Sequence, residues 1–197
     1  MSLKTAERPI QHIGAKKNVP FAKPITWEYF KNRYLSREDN FTYEWVNGYV
    51  EKTKRTIDYK QILILRNLMN LFSSLLIAGK VNGLLASEID TFFVENHRRP
   101  DICYLTDQQM YEAAADIPPV PKFVIEVISN NDKMKRVQEK MVNYWDAEVE
   151  VIWHIFPDLK HVHIYHGKKM TVLMNDELCS AAPILPDFII SVNDIFA

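Results

Sequence analysis

The spacing of apolar residues predicts three helices. A short one begins at Thr26, a plausible N-cap, in the segment TWEYFKNRYL. A long one covers residues 58–79, is apolar on most sides and is therefore expected to be well buried, with Gly79 as its C-terminal stop. A third, over residues 132–147, is amphipathic. Its apolar side consists of Met134, Val137, Met141, Tyr144 and Trp145.

Short runs rich in Val, Ile and aromatic residues predict the strands. They are LLASEIDTFFVE, DICYL, FVIEVIS and VEVIWHIF, and two hairpins that turn at Asn47-Gly48 and at Gly167-Lys168. DQQMYEAAA is expected to form a short helix or a loop. The order of FVIEVIS, helix 132–147 and VEVIWHIF indicates a crossover unit with parallel strands. The expected fold is α/β, a mixed β-sheet flanked by helices.

Length and composition predict one folded domain with an extra segment in front. The chain has 197 residues, of which 47% are hydrophobic. Residues 1–24 are polar and contain three of the prolines, so we expect an N-terminal arm there and the domain over residues 25–197. A formal net charge of -1 gives no overall attraction to nucleic acid or to anionic membranes.

The sequence also bears on cellular location. Cys103 and Cys179 are too few for a disulfide framework and are expected to be reduced core thiols. No apolar stretch is long enough to span a bilayer, and no signal peptide opens the chain. We therefore expect a cytoplasmic protein that makes no membrane contact.

Two acids stand in apolar runs. Asp101 follows Pro100 at the entry of DICYL, and Glu126 lies in the middle of FVIEVIS. Acids are rarely buried in strands unless something pairs with them. If the two strands are neighbours, both carboxylates can converge on one face, where they suit a hard cation such as Mg²⁺. The alternative is that Arg or Lys pairs with each acid in a purely structural role.

The helix over residues 132–147 contains a lysine that could reach these acids. Lys140 flanks the apolar stripe, so its ammonium could extend over the end of the sheet. There it could orient water or stabilise charge that develops on a phosphate. The alternative is an ordinary solvated basic face, formed by Lys133, Lys135, Arg136 and Lys140.

Other polar residues have open interpretations. Arg98 and Arg99 could contact DNA phosphates or neutralise the acids. Glu88 and Asp90 share a face of their predicted strand and could approach the metal site or simply face solvent. The segment HVHIYH, residues 161–166, could place two histidines on one strand face as zinc ligands, although exposed hairpin histidines explain it more simply.

Taken in order, RRPDICYL, FVIEVIS and SNNDKMKRVQEKMVNYWDAEVEVIWHI resemble the Uma-two restriction endonuclease family, first catalogued as a domain of unknown function, in the PD-(D/E)XK nuclease superfamily. TWEYFKNRYL, YEWVNGYVEK and LPDFIISVNDIF extend the resemblance over residues 25–197. Asp101 matches the acid of the PD element, and Glu126 matches the (D/E) position. Ile128 stands where the superfamily has a lysine, and Lys140 stands where this family's displaced lysine is found.

The resemblance implies a restriction-endonuclease-like core and metal-dependent hydrolysis of DNA phosphodiester bonds. Mg²⁺ or Mn²⁺ would be held by Asp101, Glu126 and the carbonyl of Val127. Lys140 would act on the water or on the transition state, and Glu44, an upstream acid of the family pattern, would complete the site.

Two further expectations concern assembly and the alternative function. Because cutting a duplex takes two cuts, we expect a homodimer, with its interface near the C-terminal hairpin. The aromatic residues available there are Trp153, Phe156 and Tyr165. The alternative function is a catalytically silent protein that binds nucleic acid or protein on the same fold. The position of the Lys140 ammonium distinguishes the two functions.

Overall fold

A computed structural model describes residues 23–54, 59–130 and 132–197 of the chain. The predicted N-terminal arm, residues 1–24, lies outside the described residues except for 23 and 24, so its boundary stays a prediction. Within the described ranges, no helix is both long enough and apolar enough to span a membrane.

The helices lie close to where the sequence predicts them. They are α1 (Trp27–Phe30), which continues as a π-helical turn (Lys31–Leu35), α2 (Tyr59–Ile77), α3 (Asp107–Ala114), α4 (Met134–Asp146) and α5 (Val192–Ile195). The Thr26 hydroxyl caps α1 by accepting the N–H of Tyr29 at 3.2 Å. Gly79, just beyond α2, has a φ of +67°, which glycine adopts at little cost.

The strands form a large and a small sheet, with a separate hairpin at the C-terminal end. They are β1 (Phe41–Val46), β2 (Tyr49–Lys54), β3 (Leu84–Ser87), β4 (Thr91–Phe93), β5 (Asn96–Arg98), β6 (Ile102–Leu105), β7 (Phe123–Val127), β8 (Val151–Phe156), β9 (His161–His166), β10 (Lys169–Met174), β11 (Leu178–Ala181) and β12 (Leu185–Ser191). The two predicted hairpins are confirmed as β1–β2 and β9–β10.

The large sheet has the order β10-β9-β8-β7-β6-β3. Its parallel pair is β7 with β8, joined by α4, and its other pairs are antiparallel. The small sheet has the order β2-β1-β5-β4. The mixed α/β fold and the predicted crossover are therefore confirmed, and β7 lies inside the large sheet.

One predicted strand is wrong. LLASEIDTFFVE forms β3 in the large sheet and β4 in the small one. Glu88 has a φ of 49°, a left-handed conformation that ends β3 and lets the chain cross to the small sheet. Glu88 and Asp90 therefore do not share a strand face. Asp90 instead accepts a hydrogen bond from the His97 ring at 2.9 Å and pairs with Arg99 at 3.2 Å.

The two faces of the large sheet differ in what covers them. On one face, Phe123, Ile125 and Val127 of β7 pack into the core that includes α2, β12 and α5. On the other face, Val124 packs against α4, so the Glu126 side chain lies on the α4 side. Cys103 and Cys179 are free and buried, as expected.

The burial expected for α2 is wrong. Only Ile64, Leu68 and Phe72 are fully buried, because the helix lies on one face of the sheet and contacts it along one stripe. Its apolar residues on the other side are exposed, and they are Tyr59, Ile62, Leu63, Leu76 and Ile77. On the predicted apolar side of α4, Val137 and Tyr144 are buried, Met141 and Trp145 are half-buried, and Met134 at the first turn is exposed.

Candidate active site

The structure brings Asp101 and Glu126 together on one face of the large sheet. Strands β6 and β7 are antiparallel, with Ile102 opposite Ile125, so the same register sets Asp101 opposite Glu126. The Asp101 carboxylate accepts the backbone N–H of Val127 at 2.7 Å through Oδ2. This bond fixes the acid at the end of β7, where Pro100 leads the chain into β6.

Helix α4 supplies the partners of Glu126. The Lys140 ammonium donates to both carboxylate oxygens, at 3.1 Å to Oε1 and 3.0 Å to Oε2. The hydroxyl of Tyr144 donates to Oε1 in a close contact. Residues four apart share one face of a helix, so α4 presents both groups to β7. Lys140 thus lies at the acids, and not on the solvated basic face that was the alternative.

Arg98 neutralises acids and is not available to DNA. Glu44 of β1 stands directly opposite Glu51 of β2, and two like charges in that position repel each other. Arg98 of β5, which is fully buried, donates through Nη1 to Glu44 at 3.2 Å and to Glu51 at 2.9 Å. Its Nε donates to Asn143 of α4 at 2.9 Å. The guanidinium therefore ties the small sheet to α4.

Glu44 reaches the site through Lys140. Its Oε1 lies 3.7 Å from the Lys140 ammonium and also accepts the backbone N–H of Arg99 at 2.9 Å. Lys140 therefore lies between two buried carboxylates, those of Glu44 and Glu126. The result is a continuous chain of charge from Arg98 to Glu126 that joins the small sheet to the large one.

Burial and neighbouring charges shift the pKa values of these groups. Burial and the negative charge of Glu126 raise the pKa of Asp101 to about 7. Burial also raises the pKa of Glu126, although Lys140 and Tyr144 oppose the shift. For Glu44, burial is outweighed by Lys140 and Arg98, which together lower its pKa. For Lys140, burial is outweighed by the three acids, which raise its pKa above the usual value.

The charges of the cluster suit a divalent cation. Four carboxylates, those of Glu44, Glu51, Asp101 and Glu126, face the two cations Arg98 and Lys140, and four minus two leaves two negative charges when all are ionised. Burial, and then the charge of Glu126, raise the pKa of Asp101 to about 7, and a bound cation would lower that pKa.

The oxygen donors also suit Mg²⁺. The carbonyl of Val127 accepts the amide of Gln61 over a long distance, 3.5 Å, and a carbonyl oxygen has a second lone pair for another partner. Mg²⁺ usually binds through one or two carboxylates and keeps several waters. In the part of the chain that the structure describes, no three His, Cys, Asp or Glu side chains form a metal-binding group. That observation gives no support to the zinc pair considered for the histidines of HVHIYH.

Sequence reasoning missed three residues near the acids. Tyr144 was placed on the apolar stripe of α4, since helical periodicity describes its ring and not its hydroxyl. Asn143, which accepts from Arg98, is buried without any pattern to predict it. His154 of β8 stands beside Glu126 in register, and burial lowers its pKa to about 4, so it is neutral at pH 7. Its place inside the apolar run VIWHIF was the available signal.

Comparison with known proteins identifies the fold and the family of the chain. Among curated protein sequences, none matches this chain. The 1.96 Å crystal structure of "a putative nuclease belonging to DUF820" from Anabaena variabilis ATCC 29413 is similar, with a TM-score of 0.73 and 18% sequence identity over 88% of this chain and 98% of that chain. This likeness establishes the fold. Residues 27–193 match the Uma2 family, described as "Putative restriction endonuclease", and the chain therefore belongs to that family.

Proposed function

We propose that this chain is a metal-dependent endonuclease that hydrolyses phosphodiester bonds in DNA. The observation that carries the proposal is the Lys140 ammonium, which α4 delivers to Glu126 on the sheet face that also holds Asp101. Ile128, at the usual lysine position, is buried two residues beyond Glu126. Lys140 thus supplies from the helix the positive charge that the strand lacks. Membership of a restriction endonuclease family supports the same reaction.

Asp101, Glu126 and the carbonyl of Val127 would hold Mg²⁺ or Mn²⁺. Such an ion, when bound, supplies a Lewis acid that polarises the phosphate and makes water a better nucleophile. The chain itself excludes bulk water from Glu126, which is only 4% exposed, and fixes Asp101 through the Val127 N–H. The acids thus offer oxygens in an arrangement set by two paired strands.

Lys140 acts as a donor and not as a base. Its raised pKa keeps the ammonium protonated, while its side chain is still 21% exposed and can meet a substrate. Donation to a non-bridging oxygen of the scissile phosphate stabilises the charge that grows there in the transition state. This assignment makes Lys140 the residue whose loss slows the chemical step.

Glu44 completes the site as a positioning residue for Lys140. Its two oxygens already accept N–H donors, Oε2 from Arg98 and Oε1 from the backbone of Arg99. These bonds fix the Glu44 carboxylate in place. Its negative charge, 3.7 Å from the Lys140 ammonium, holds that ammonium over the sheet.

The proposal includes a homodimer and a cytoplasmic location, both of which rest on sequence reasoning. The interface residues need revision, because Trp153 and Tyr165 are buried in the core of the chain. Exposed side chains nearby are those of Met170, Val172 and Met174 on the edge strand β10. Light scattering of the protein with and without duplex DNA tests the assembly, and a monomer in both states would contradict it.

The function itself is tested by incubating the protein with supercoiled plasmid. We expect nicking or linearisation with Mg²⁺ or Mn²⁺, and no cleavage with EDTA or by the Asp101→Asn variant, which has lost a charged ligand. DNA binding without cleavage under any divalent ion would instead favour the silent binding protein.

A further inference from the structure

The Glu126 carboxylate has two side-chain donors of different character. Lys140 is charged, and its side chain is 21% exposed. Tyr144 is neutral and fully buried. One partner can therefore meet a substrate, and the other cannot. This difference suggests that the two donors have different tasks.

The direction of the Tyr144 hydroxyl is set by the fold. Its ring packs edge to face on Phe93 of β4, with centroids 4.7 Å apart, in the cluster that contains Cys103 and Val124. A buried tyrosine hydroxyl needs a hydrogen-bond partner, and Glu126 Oε1 is that partner. The hydroxyl would stay in place whether or not the site held an ion.

The hydroxyl is a neutral donor, because the phenol of tyrosine has an ordinary pKa of about 10. A cation at Glu126 would repel the Lys140 ammonium by Coulomb's law, whereas it would not repel a neutral hydroxyl in this way. Tyr144 can therefore keep its bond to Glu126 when Lys140 has to give up its own.

We propose that Tyr144 is a positioning residue that holds Glu126 as a metal ligand and so frees Lys140 to contact the substrate phosphate. This inference rests on the proposed function. Hydrogen bonds that orient a metal ligand are typically worth about 10- to 100-fold in metal affinity or activity. Without the hydroxyl, Glu126 would depend on Lys140 alone, and an ion would have to compete with the ammonium for it.

The test compares Tyr144→Phe with Tyr165→Phe. Tyr165 is a matched control, because it is also buried, belongs to the same cluster and packs edge to face on Trp145. Mn²⁺ dissociation constants are measured by isothermal titration calorimetry without DNA. We expect Tyr144→Phe to weaken Mn²⁺ binding about 10- to 100-fold and Tyr165→Phe to bind like the wild type.

Kinetics give a second readout. In plasmid cleavage, the Mn²⁺ concentration for half-maximal rate should rise in Tyr144→Phe by the same factor as the dissociation constant. The rate at saturating Mn²⁺ should largely recover, because the lost interaction acts on ion binding and Lys140 is still present. A variant that merely loosened the core would not separate these two quantities.

Each outcome bears on the proposal. Wild-type Mn²⁺ binding in Tyr144→Phe, with binding lost in Asp101→Asn, would overturn the role of Tyr144 and leave the proposed function standing. Equal losses in both tyrosine variants would indicate packing and would also overturn it. A wild-type protein that binds no Mn²⁺ would overturn both proposals. Circular dichroism at the titration temperature checks that each variant is folded, and a destabilised variant is titrated at a lower temperature.

Discussion

Replacing Arg98 by methionine should destabilise the protein strongly. Methionine keeps much of the length of the side chain but removes the charge and the bonds to Glu44, Glu51 and Asn143. Glu44 and Glu51 would then face each other without a cation between them. Breaking a buried ion pair by removing one partner typically costs about 3–5 kcal/mol.

The expected loss of stability depends on how far the Glu44 and Glu51 side chains are exposed. The Glu51 side chain is 19% exposed and can turn partly to water, whereas that of Glu44 is 9% exposed and stays between Lys140 and the backbone of Arg99. We therefore expect a loss near the lower end, about 3 kcal/mol in the free energy of unfolding. For a chain of this length that corresponds to a melting temperature lower by about 6–12 °C.

Urea denaturation followed by circular dichroism at pH 7.5 measures this loss. Lys135→Met is the control, because the Lys135–Glu139 pair is a surface pair on α4, with a lysine side chain 87% exposed, and should contribute about 0.5 kcal/mol or less. Adding Glu44→Gln and Glu51→Gln to the Arg98 variant should recover part of the loss. The reasoning is refuted if Arg98→Met unfolds within about 1 kcal/mol of the wild type.

Two further outcomes follow from the site. His154 has a folded-state pKa of about 4, below its ordinary value of 6.5. Its contribution to stability is therefore present above pH 6.5 and is lost as the pH falls toward 4, by up to about 3 kcal/mol. A His154→Leu variant whose stability in urea falls as steeply as that of the wild type over this range would contradict this. Mn²⁺ should raise the melting temperature of the wild type through binding to the folded state, and an equal rise in Asp101→Asn would argue against Asp101 as a ligand.

Much of the fold could be predicted from the sequence, because local patterns specify it. The turn at Asn47-Gly48, the crossover of β7, α4 and β8, and the cap at Thr26 are all encoded within a few residues. The break at Glu88 could not be read in this way, since the segment is apolar on both sides of it. The exposure of α2 depends on how much of the helix the sheet covers, which periodicity does not state.

In the candidate site, too, some residues could be predicted from local sequence and others could not. Asp101, Glu126 and Lys140 could be singled out because charged residues beside apolar runs need a reason. The task of Arg98 stayed open, since its partners Glu44 and Glu51 are far away along the chain and meet it only in the folded sheets. The catalytic roles of Asp101, Glu126 and Lys140 are predictions that the geometry of the site supports.

The most direct measurement of the central claim is the cleavage rate of supercoiled plasmid by Lys140→Ala. With saturating Mn²⁺, we expect a rate about 10²- to 10³-fold below the wild type, while the Mn²⁺-induced rise in melting temperature persists, because no oxygen ligand has been removed. Lys135→Ala, one exposed lysine of the same helix, should cut like the wild type. Wild-type cleavage by Lys140→Ala would contradict the account, because the ammonium that α4 brings to Glu126 would then have no part in the reaction.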